Sequence, residues 1–188
     1  MNKVLLYLIL GAFSISVLLL LPPSSQNDKV AYSVSITSKY RTPKAIYIPN
    51  SKVLKVFVNV VCCSDGIEVR KNEKEILVKV IDKDGVVCKC FETKEIVIPG
   101  LSRPDSVIFV DYNGEIKKLP LEVSKFCGVS TFGECNSDKD CVVTGCSNEV
   151  CASKHEKPIY SACVYKTCYD YRKYGVGCRC VLGRCMWV

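Results

Sequence analysis

The sequence is poor in the residues on which most enzymatic and metal chemistry depends. It holds one His, one Trp and one Gln among 188 residues, and none of its 14 Cys precedes residue 62. A single His argues against a His-based catalytic set and against a His-rich metal site. No two cysteines have the Cys-x-x-Cys spacing of thioredoxin-type redox sites, haem attachment sites and zinc knuckles. We therefore expect a protein that is not an enzyme and that uses no cofactor and no metal.

The distribution of charged residues bears on the class of partner. The formal net charge is +7, but basic and acidic side chains are interspersed along the chain and form no basic stripe. A nucleic-acid-binding face would need such a stripe, so we expect no nucleic acid among the partners.

The chain begins with a long hydrophobic run. Lys3 precedes the uncharged residues 4–21, and Pro22-Pro23 ends any helix there. The run exceeds the roughly 7–15 apolar residues of a secretory signal and approaches the about 20 of a membrane-spanning helix. Residues 1–21 are therefore predicted to form a hydrophobic helix. It is either an uncleaved transmembrane anchor, holding the protein in the membrane through residues 4–21, or a cleaved signal peptide.

Both alternatives place the rest of the chain outside the cytoplasm. The protein is expected to be a single-pass membrane protein with its N-terminus inside, or a secreted protein. Residues 22–28 are polar and rich in Pro and Ser, and they are predicted to form a linker.

Residues 29–121 have the pattern of β-strands. Apolar residues alternate at Val30, Tyr32, Val34 and Ile36, and again at Leu54, Val56, Val58 and Val60. Asn113-Gly114 lies between apolar runs and predicts a hairpin. About seven short strands separated by turn residues predict an antiparallel β-sandwich of immunoglobulin-like size. The fold class expected for the whole chain is mainly β.

Residues 122–188 form a second predicted domain, with the boundary near residues 121–125. This region holds ten cysteines and few aliphatic residues, so disulfides must replace much of a hydrophobic core. An oxidising compartment permits such bonds. All fourteen cysteines are therefore expected to form disulfides: Cys62, Cys63, Cys88, Cys90, Cys127, Cys135, Cys141, Cys146, Cys151, Cys163, Cys168, Cys178, Cys180 and Cys185.

The cysteines of the first domain form two sets, Cys62-Cys63 and Cys88-x-Cys90. Two disulfides can join the sets across neighbouring or facing strands. The alternative is a four-thiolate metal site, which these spacings fit less well than the pairs usual in zinc sites.

The C-terminal region resembles a known family. The runs CNSDKDCVVTGCSNEVC, SACVYKTC and GCRCVLGRCMW resemble the eight-cysteine-cluster domain of secreted archaeal and bacterial proteins, over residues 133–187. The resemblance implies an exported disulfide module and no particular activity. The matching stretch holds nine cysteines, and the extra one can pair with Cys127. The CNSDKDC opening is also similar to whey-acidic-protein inhibitor modules, although Thr144-Gly145-Cys146 stands where those modules have adjacent cysteines.

An aromatic stretch in the second domain is a candidate recognition face. Tyr and Arg are favoured at binding hot spots, and here they are Tyr165, Tyr169, Tyr171, Arg172 and Tyr174. The alternative is that these rings cover disulfides. Asp138 and Asp140 are expected to fix a turn before Cys141 rather than to bind a cation. His155 has no evident catalytic partner.

Taken together, these features predict an exported or membrane-anchored envelope protein with a non-catalytic, disulfide-stapled ectodomain. Its role would be structural, or it would bind an extracellular protein or glycan. A secreted module of the protease-inhibitor type is the second hypothesis, and an extracellular thiol or metal-binding protein is the third.

Overall fold

A computed structural model describes residues 28–38, 40, 42–83 and 88–188. The predicted hydrophobic helix at residues 1–21 lies outside the described residues, as does the linker apart from Asp28. Within the described ranges, no helix has the length and apolar character needed to cross a membrane.

The described chain is mainly β, as predicted. The first region contains ten strands: β1 (Asp28–Lys29), β2 (Ser33–Ile36), β3 (Lys44–Ile48), β4 (Val53–Val61), β5 (Gly66–Asn72), β6 (Glu75–Ile81), β7 (Phe91–Ile98), β8 (Ser106–Val110), β9 (Ile116–Lys118) and β10 (Leu121–Val123). They form two five-stranded sheets in the orders β1-β5-β6-β8-β9 and β10-β3-β4-β7-β2. Side chains from both sheets share one hydrophobic core.

Two details of the predicted sandwich are wrong. There are ten strands rather than about seven, and the sheets are mixed because the pairs β6–β8 and β10–β3 are parallel. The chain passes from β7 in one sheet to β8 in the other, and β8 then runs beside β6 in the same direction. A crossover of this kind produces a parallel pair where a hairpin would produce an antiparallel one.

The predicted first strand is divided between the two sheets. β1 pairs with β5, whereas β2 pairs with β7. Val30 and Tyr32 pack against the core as predicted, and the Tyr32 hydroxyl donates to the Ile67 carbonyl. Beyond them the alternation no longer marks a buried face, since Val34 is 43% exposed and Ile36 71% exposed.

Strand β4 is buried on both faces. Leu54, Val56, Val58 and Val60 lie in the sandwich core, as the alternation predicts. Val53 belongs instead to a second apolar cluster, which is built mostly from residues after 125. The C-terminal region therefore covers the outer face at the Val53 end of β4, while Phe57 packs against Tyr40. Burial on both faces accounts for the nearly continuous apolar sequence of this strand.

The C-terminal region contains five short strands: β11 (Val129–Ser130), β12 (Cys141–Thr144), β13 (Val150–Ser153), β14 (Cys178–Val181) and β15 (Arg184–Trp187). They form a three-stranded sheet, β11-β13-β12, and a β14–β15 hairpin. The helical elements described are two 3₁₀ turns, Asp138–Asp140 and Thr167–Tyr169. We call residues 124–188, which follow β10, the C-terminal module.

Trp187 lies at the centre of the second apolar cluster. Its side chain is fully buried among Phe126, Tyr171 and the cysteines of the module. The ring centroids of Phe126 and Tyr171 lie 5.1 and 5.2 Å from that of Trp187. The indole N–H donates to the Glu149 carbonyl at 3.3 Å, so the polar end of the ring is satisfied as well.

Polar contacts also join the module to the sandwich. Ser130 Oγ accepts the Trp187 backbone N–H at 2.9 Å and lies 3.1 Å from Ser51 Oγ in the β3–β4 turn. The buried Glu95 forms ion pairs with Lys55 at 2.7 Å and with Arg179 of β14 at 3.5 Å. The domain boundary predicted at residues 121–125 stays a prediction.

We expect Trp187→Ala to lower the free energy of unfolding by about 3–5 kcal/mol, because it leaves a cavity in a close-packed cluster. Guanidinium denaturation with the disulfides intact measures this change. Leu182→Ala is the control, since Leu182 is 51% exposed and surface truncations usually change stability by less than about 0.5 kcal/mol. Equal effects of the two substitutions would contradict the central place of Trp187.

Candidate functional site

Every cysteine lies in a disulfide. In the sandwich, Cys62 pairs with Cys90 and Cys63 with Cys88, so the two predicted sets are joined by two bonds. The module contains the remaining five: Cys127–Cys168, Cys135–Cys180, Cys141–Cys185, Cys146–Cys163 and Cys151–Cys178. Such extensive use of disulfides is typical of proteins outside the reducing cytosol and indicates an extracytoplasmic protein.

Two of these disulfides attach a long irregular segment to the module. Residues 154–177 lie between β13 and β14 and contain one 3₁₀ turn and no strand. Segments of this length without secondary structure are uncommon in compact domains and are often functional. Cys163 ties this segment to Cys146, and Cys168 ties it to Cys127.

Between these attachment points lies a small open pocket, which we call the tyrosine pocket. It has a volume of about 200 Å³ and is lined by Ser147, Asn148, Tyr165, Tyr169, Asp170, Tyr171 and Arg172. Ser147 and Asn148 follow Cys146, Tyr165 is two residues after Cys163, and Tyr169 follows Cys168. A disulfide cysteine therefore lies one or two residues from most of the lining residues, and three and four residues from Tyr171 and Arg172.

Four of the five residues of the predicted recognition face meet in this pocket. They are Tyr165, Tyr169, Tyr171 and Arg172. Tyr174 lies elsewhere: it is half-buried against the cluster around Trp187, with its ring centroid 6.1 Å from that of Phe126. The alternative interpretation, that the rings cover disulfides, thus fits Tyr174 and also Tyr171, since both pack against the cluster that contains the buried cysteines.

The sequence analysis missed the polar members of the pocket, Ser147, Asn148 and Asp170. Asn148 has a backbone φ of 57° and donates to the Gly145 carbonyl at 3.3 Å, so it ends a tight turn. The sequence shows that Asn148 lies two residues after a cysteine. It does not show that this cysteine pairs with Cys163, and this pairing brings the turn next to the tyrosines.

A buried carboxylate holds the same turn. Burial raises the pKa of Glu149, but hydrogen bonds from Ser161 and from the Ser147 backbone outweigh this and lower it. Ser161 Oγ also accepts the Cys146 N–H at 2.8 Å, which joins the irregular segment to the turn. Gly145 has a φ of +85°, and a Cβ there would lie 2.8 Å from the Glu149 carboxylate. The turn therefore has little freedom to change shape.

A larger cleft, of about 870 Å³, lies on another part of the module and is lined by polar groups that include Glu156 and Arg184. These groups are engaged within the protein. Glu156 Oε2 accepts hydrogen bonds from Thr131 Oγ1 at 2.6 Å and from the Ser153 N–H at 2.8 Å. Arg184 donates to the Phe132 carbonyl at 3.2 Å. The exposed side chains of Glu134 and His155 line the same cleft, and Glu134 lies 3.6 Å from Arg184.

Asp140 fixes the turn before Cys141, as expected, whereas Asp138 contacts the backbone of β14. Asp138 Oδ1 accepts the Cys180 N–H at 2.8 Å. Asp140 Oδ1 pairs with Lys154 at 2.8 Å, and its Oδ2 accepts the backbone N–H groups of Asn136 and Ser137, each at 3.0 Å. The exposed His155 lies 3.7 Å from the same carboxylate.

The comparisons with known proteins concern the C-terminal part of the chain. Residues 112–188, less than half of the chain, match the family model described as CGP-CTERM domain protein. The match covers the cysteine-rich C-terminal region that resembles the eight-cysteine-cluster domain, and it is consistent with that resemblance. No curated protein and no solved structure matches the chain.

We expect the double variant Cys146→Ser/Cys163→Ser to loosen the irregular segment while leaving the core around Trp187 folded. Hydrogen–deuterium exchange should accelerate in residues 155–166 and stay slow in β15. Stability should fall by about 2–4 kcal/mol, the usual contribution of a native disulfide. The double variant Cys62→Ser/Cys90→Ser is the control, since it removes a sandwich disulfide. Unchanged exchange in the segment would show that the Cys146–Cys163 bond does not fix it.

Asp140 should make stability depend on pH in the acid range. The Lys154 ammonium, followed by the Asn136 and Ser137 N–H groups, holds the pKa of Asp140 well below its ordinary value. The stabilisation is therefore present above the unfolded pKa of about 3.9 and is lost as the pH falls through the folded pKa. Thermal unfolding at several pH values measures the melting temperatures of wild type and Asp140→Asn. The difference between the two melting temperatures should narrow steadily below about pH 4. A constant difference would contradict this account.

Proposed function

We propose that this protein is a non-catalytic binding protein of the cell envelope, which presents the C-terminal module to an extracytoplasmic protein or glycan. The sandwich carries the module, and the tyrosine pocket is its binding site. The hydrophobic run at residues 4–21 would either retain the protein in the membrane, with the N-terminus inside, or direct its secretion.

The observation that carries this proposal is the attachment of the pocket walls to disulfides. A binding site loses affinity when its side chains and loops must be ordered on association, so a site ordered in advance binds more tightly. The Cys146–Cys163 and Cys127–Cys168 bonds hold the segments that bear Asn148, Tyr165 and Tyr169. Packing of Tyr171 against Trp187 orders a further wall.

The proposal that the protein is not an enzyme draws on the state of its nucleophiles. All fourteen cysteines are in disulfides and offer no thiolate. Ser153 lies near His155 in the chain, but its hydroxyl donates to the Glu134 carbonyl at 2.7 Å. The charged neighbour of the imidazole is Asp140, which is engaged with Lys154. The contacts among Asp140, Lys154 and His155 therefore favour a structural role over a catalytic one.

One observation favours a second candidate function, protease inhibition. Tyr160 is 92% exposed, yet its neighbour Ser161 is hydrogen-bonded to Cys146. The disulfide-bonded Cys163 lies three residues after Tyr160. An exposed side chain on a restrained loop can enter the specificity pocket of a protease while the loop resists cleavage.

The main proposal predicts that binding to the envelope depends on Tyr165 and Tyr169 of the tyrosine pocket. The oxidised full-length protein should bind washed envelope fractions of the source cells in a sedimentation assay. Tyr165→Ala/Tyr169→Ala should weaken this binding at least about tenfold, because truncation of aromatic hot spots costs more than about 1 kcal/mol each. Tyr160→Ala, outside the pocket, is the control and should bind as the wild type does. Equal binding by all three proteins would refute the role of the pocket.

The second candidate makes an opposite prediction for Tyr160. The oxidised protein should inhibit a chymotrypsin-like protease, and Tyr160→Arg should shift inhibition toward a trypsin-like protease, because the side chain at this position would select the enzyme. Inhibition constants for the two enzymes measure the change. Cleavage after Tyr160 without inhibition, or no inhibition of either enzyme, would exclude this candidate.

A further inference from the structure

The tyrosine pocket combines flat rings with charged and amide groups. Tyr165, Tyr169 and Tyr171 provide the rings, while Asn148, Asp170 and Arg172 provide the polar groups. A phenol ring offers an apolar face and a polar tip. A sugar ring offers a matching pair of surfaces, since its C–H face is apolar and its edge carries hydroxyls. This mixture therefore fits a saccharide better than it fits an aliphatic side chain.

The size of the pocket limits the ligand. Its volume of about 200 Å³ is below the roughly 300–1,000 Å³ of pockets that enclose whole small molecules. A pocket of this size holds one sugar ring. Since the pocket is open to solvent, the neighbouring units of a polymer can continue outside it.

The charges around the pocket favour an anionic ligand. The Arg172 guanidinium lies 5.6 Å from the Tyr171 ring centroid, and Lys166 Nζ lies 5.8 Å from that of Tyr169. Lys173 follows Arg172 and is exposed as well, whereas Asp170 is the one acidic residue lining the pocket. Arg binds carboxylates through two parallel hydrogen bonds.

We infer that the tyrosine pocket binds a carboxylate-bearing sugar ring, a hexuronate unit of an anionic surface polysaccharide. Arg172 receives the carboxylate, Tyr165 and Tyr169 stack on the C–H face, and Asn148 and Asp170 bind hydroxyls. This inference rests on the proposed function and adds the class of ligand to it.

Calorimetric titration of the oxidised full-length protein tests the ligand class. The probes are an oligomer of galacturonate, a neutral galactose oligomer of equal length, and polyglutamate as an anion without sugar rings. The galacturonate oligomer should bind at least tenfold more tightly than the neutral oligomer, and polyglutamate should not bind measurably.

Single variants separate charge from stacking. Arg172→Gln should reduce the affinity for galacturonate to that for the neutral oligomer, because the carboxylate loses its partner. Tyr169→Ala should weaken the binding of both the galacturonate and the galactose oligomer at least tenfold. Arg184→Gln removes the same charge from an exposed arginine outside the pocket, and its affinities should equal those of the wild type.

Three results would overturn the inference: no binding of galacturonate, equal binding of polyglutamate, or equal losses in Arg172→Gln and Arg184→Gln. The envelope assay separates this failure from that of the proposed function. If envelope binding requires Tyr165 and Tyr169 but galacturonate does not bind, the ligand class is wrong and the proposed function stands. If galacturonate binds in the pocket but envelope binding does not require these tyrosines, the proposed function fails.

Discussion

The tyrosine pocket depends on two disulfides that hold an otherwise irregular segment in one shape. Residues 154–177 form the longest strand-free stretch that the structure describes, and a free chain of this kind would occupy many conformations. The Cys146–Cys163 and Cys127–Cys168 bonds remove much of this freedom by closing loops of 17 and 41 residues in sequence separation. The surface that results is ordered even though few backbone hydrogen bonds within the segment support it.

The disulfides act together with a small aromatic core and with the sandwich. Trp187 fills the centre of the module, and Ile48, Val53 and Val97 of the sandwich belong to the same apolar cluster. The composition of the module provides few apolar side chains for a core. The sandwich therefore contributes part of the apolar surface against which the module packs. The buried Glu95, between Lys55 and Arg179, adds a charged contact at the same junction. The sandwich and the module are thus joined by apolar and by charged contacts.

Some of this could be predicted from the sequence and some could not. The alternation at Leu54–Val60 and the Asn113-Gly114 hairpin were predictable because a strand's period and a turn's φ requirements are local properties. The parallel pairs β6–β8 and β10–β3 were not, because strand direction depends on which sheet the chain enters next. The tyrosines were identifiable by type, whereas Asn148 joins them only through a disulfide partner distant in sequence. Tyr174 belongs to the same aromatic stretch of the sequence but packs against the second apolar cluster. The residue type alone therefore does not distinguish a tyrosine that packs in a core from one that lines the pocket.

The measurement that tests the central claim most directly is a disulfide map of the native protein. Proteolysis without reduction, followed by mass spectrometry, identifies which cysteine peptides remain linked. This account predicts linked peptides that contain Cys146 with Cys163 and Cys127 with Cys168, and no thiol that reacts with an alkylating agent. Different partners for Cys163 or Cys168, or free thiols at these positions, would contradict it, since the walls of the pocket would then have no fixed arrangement.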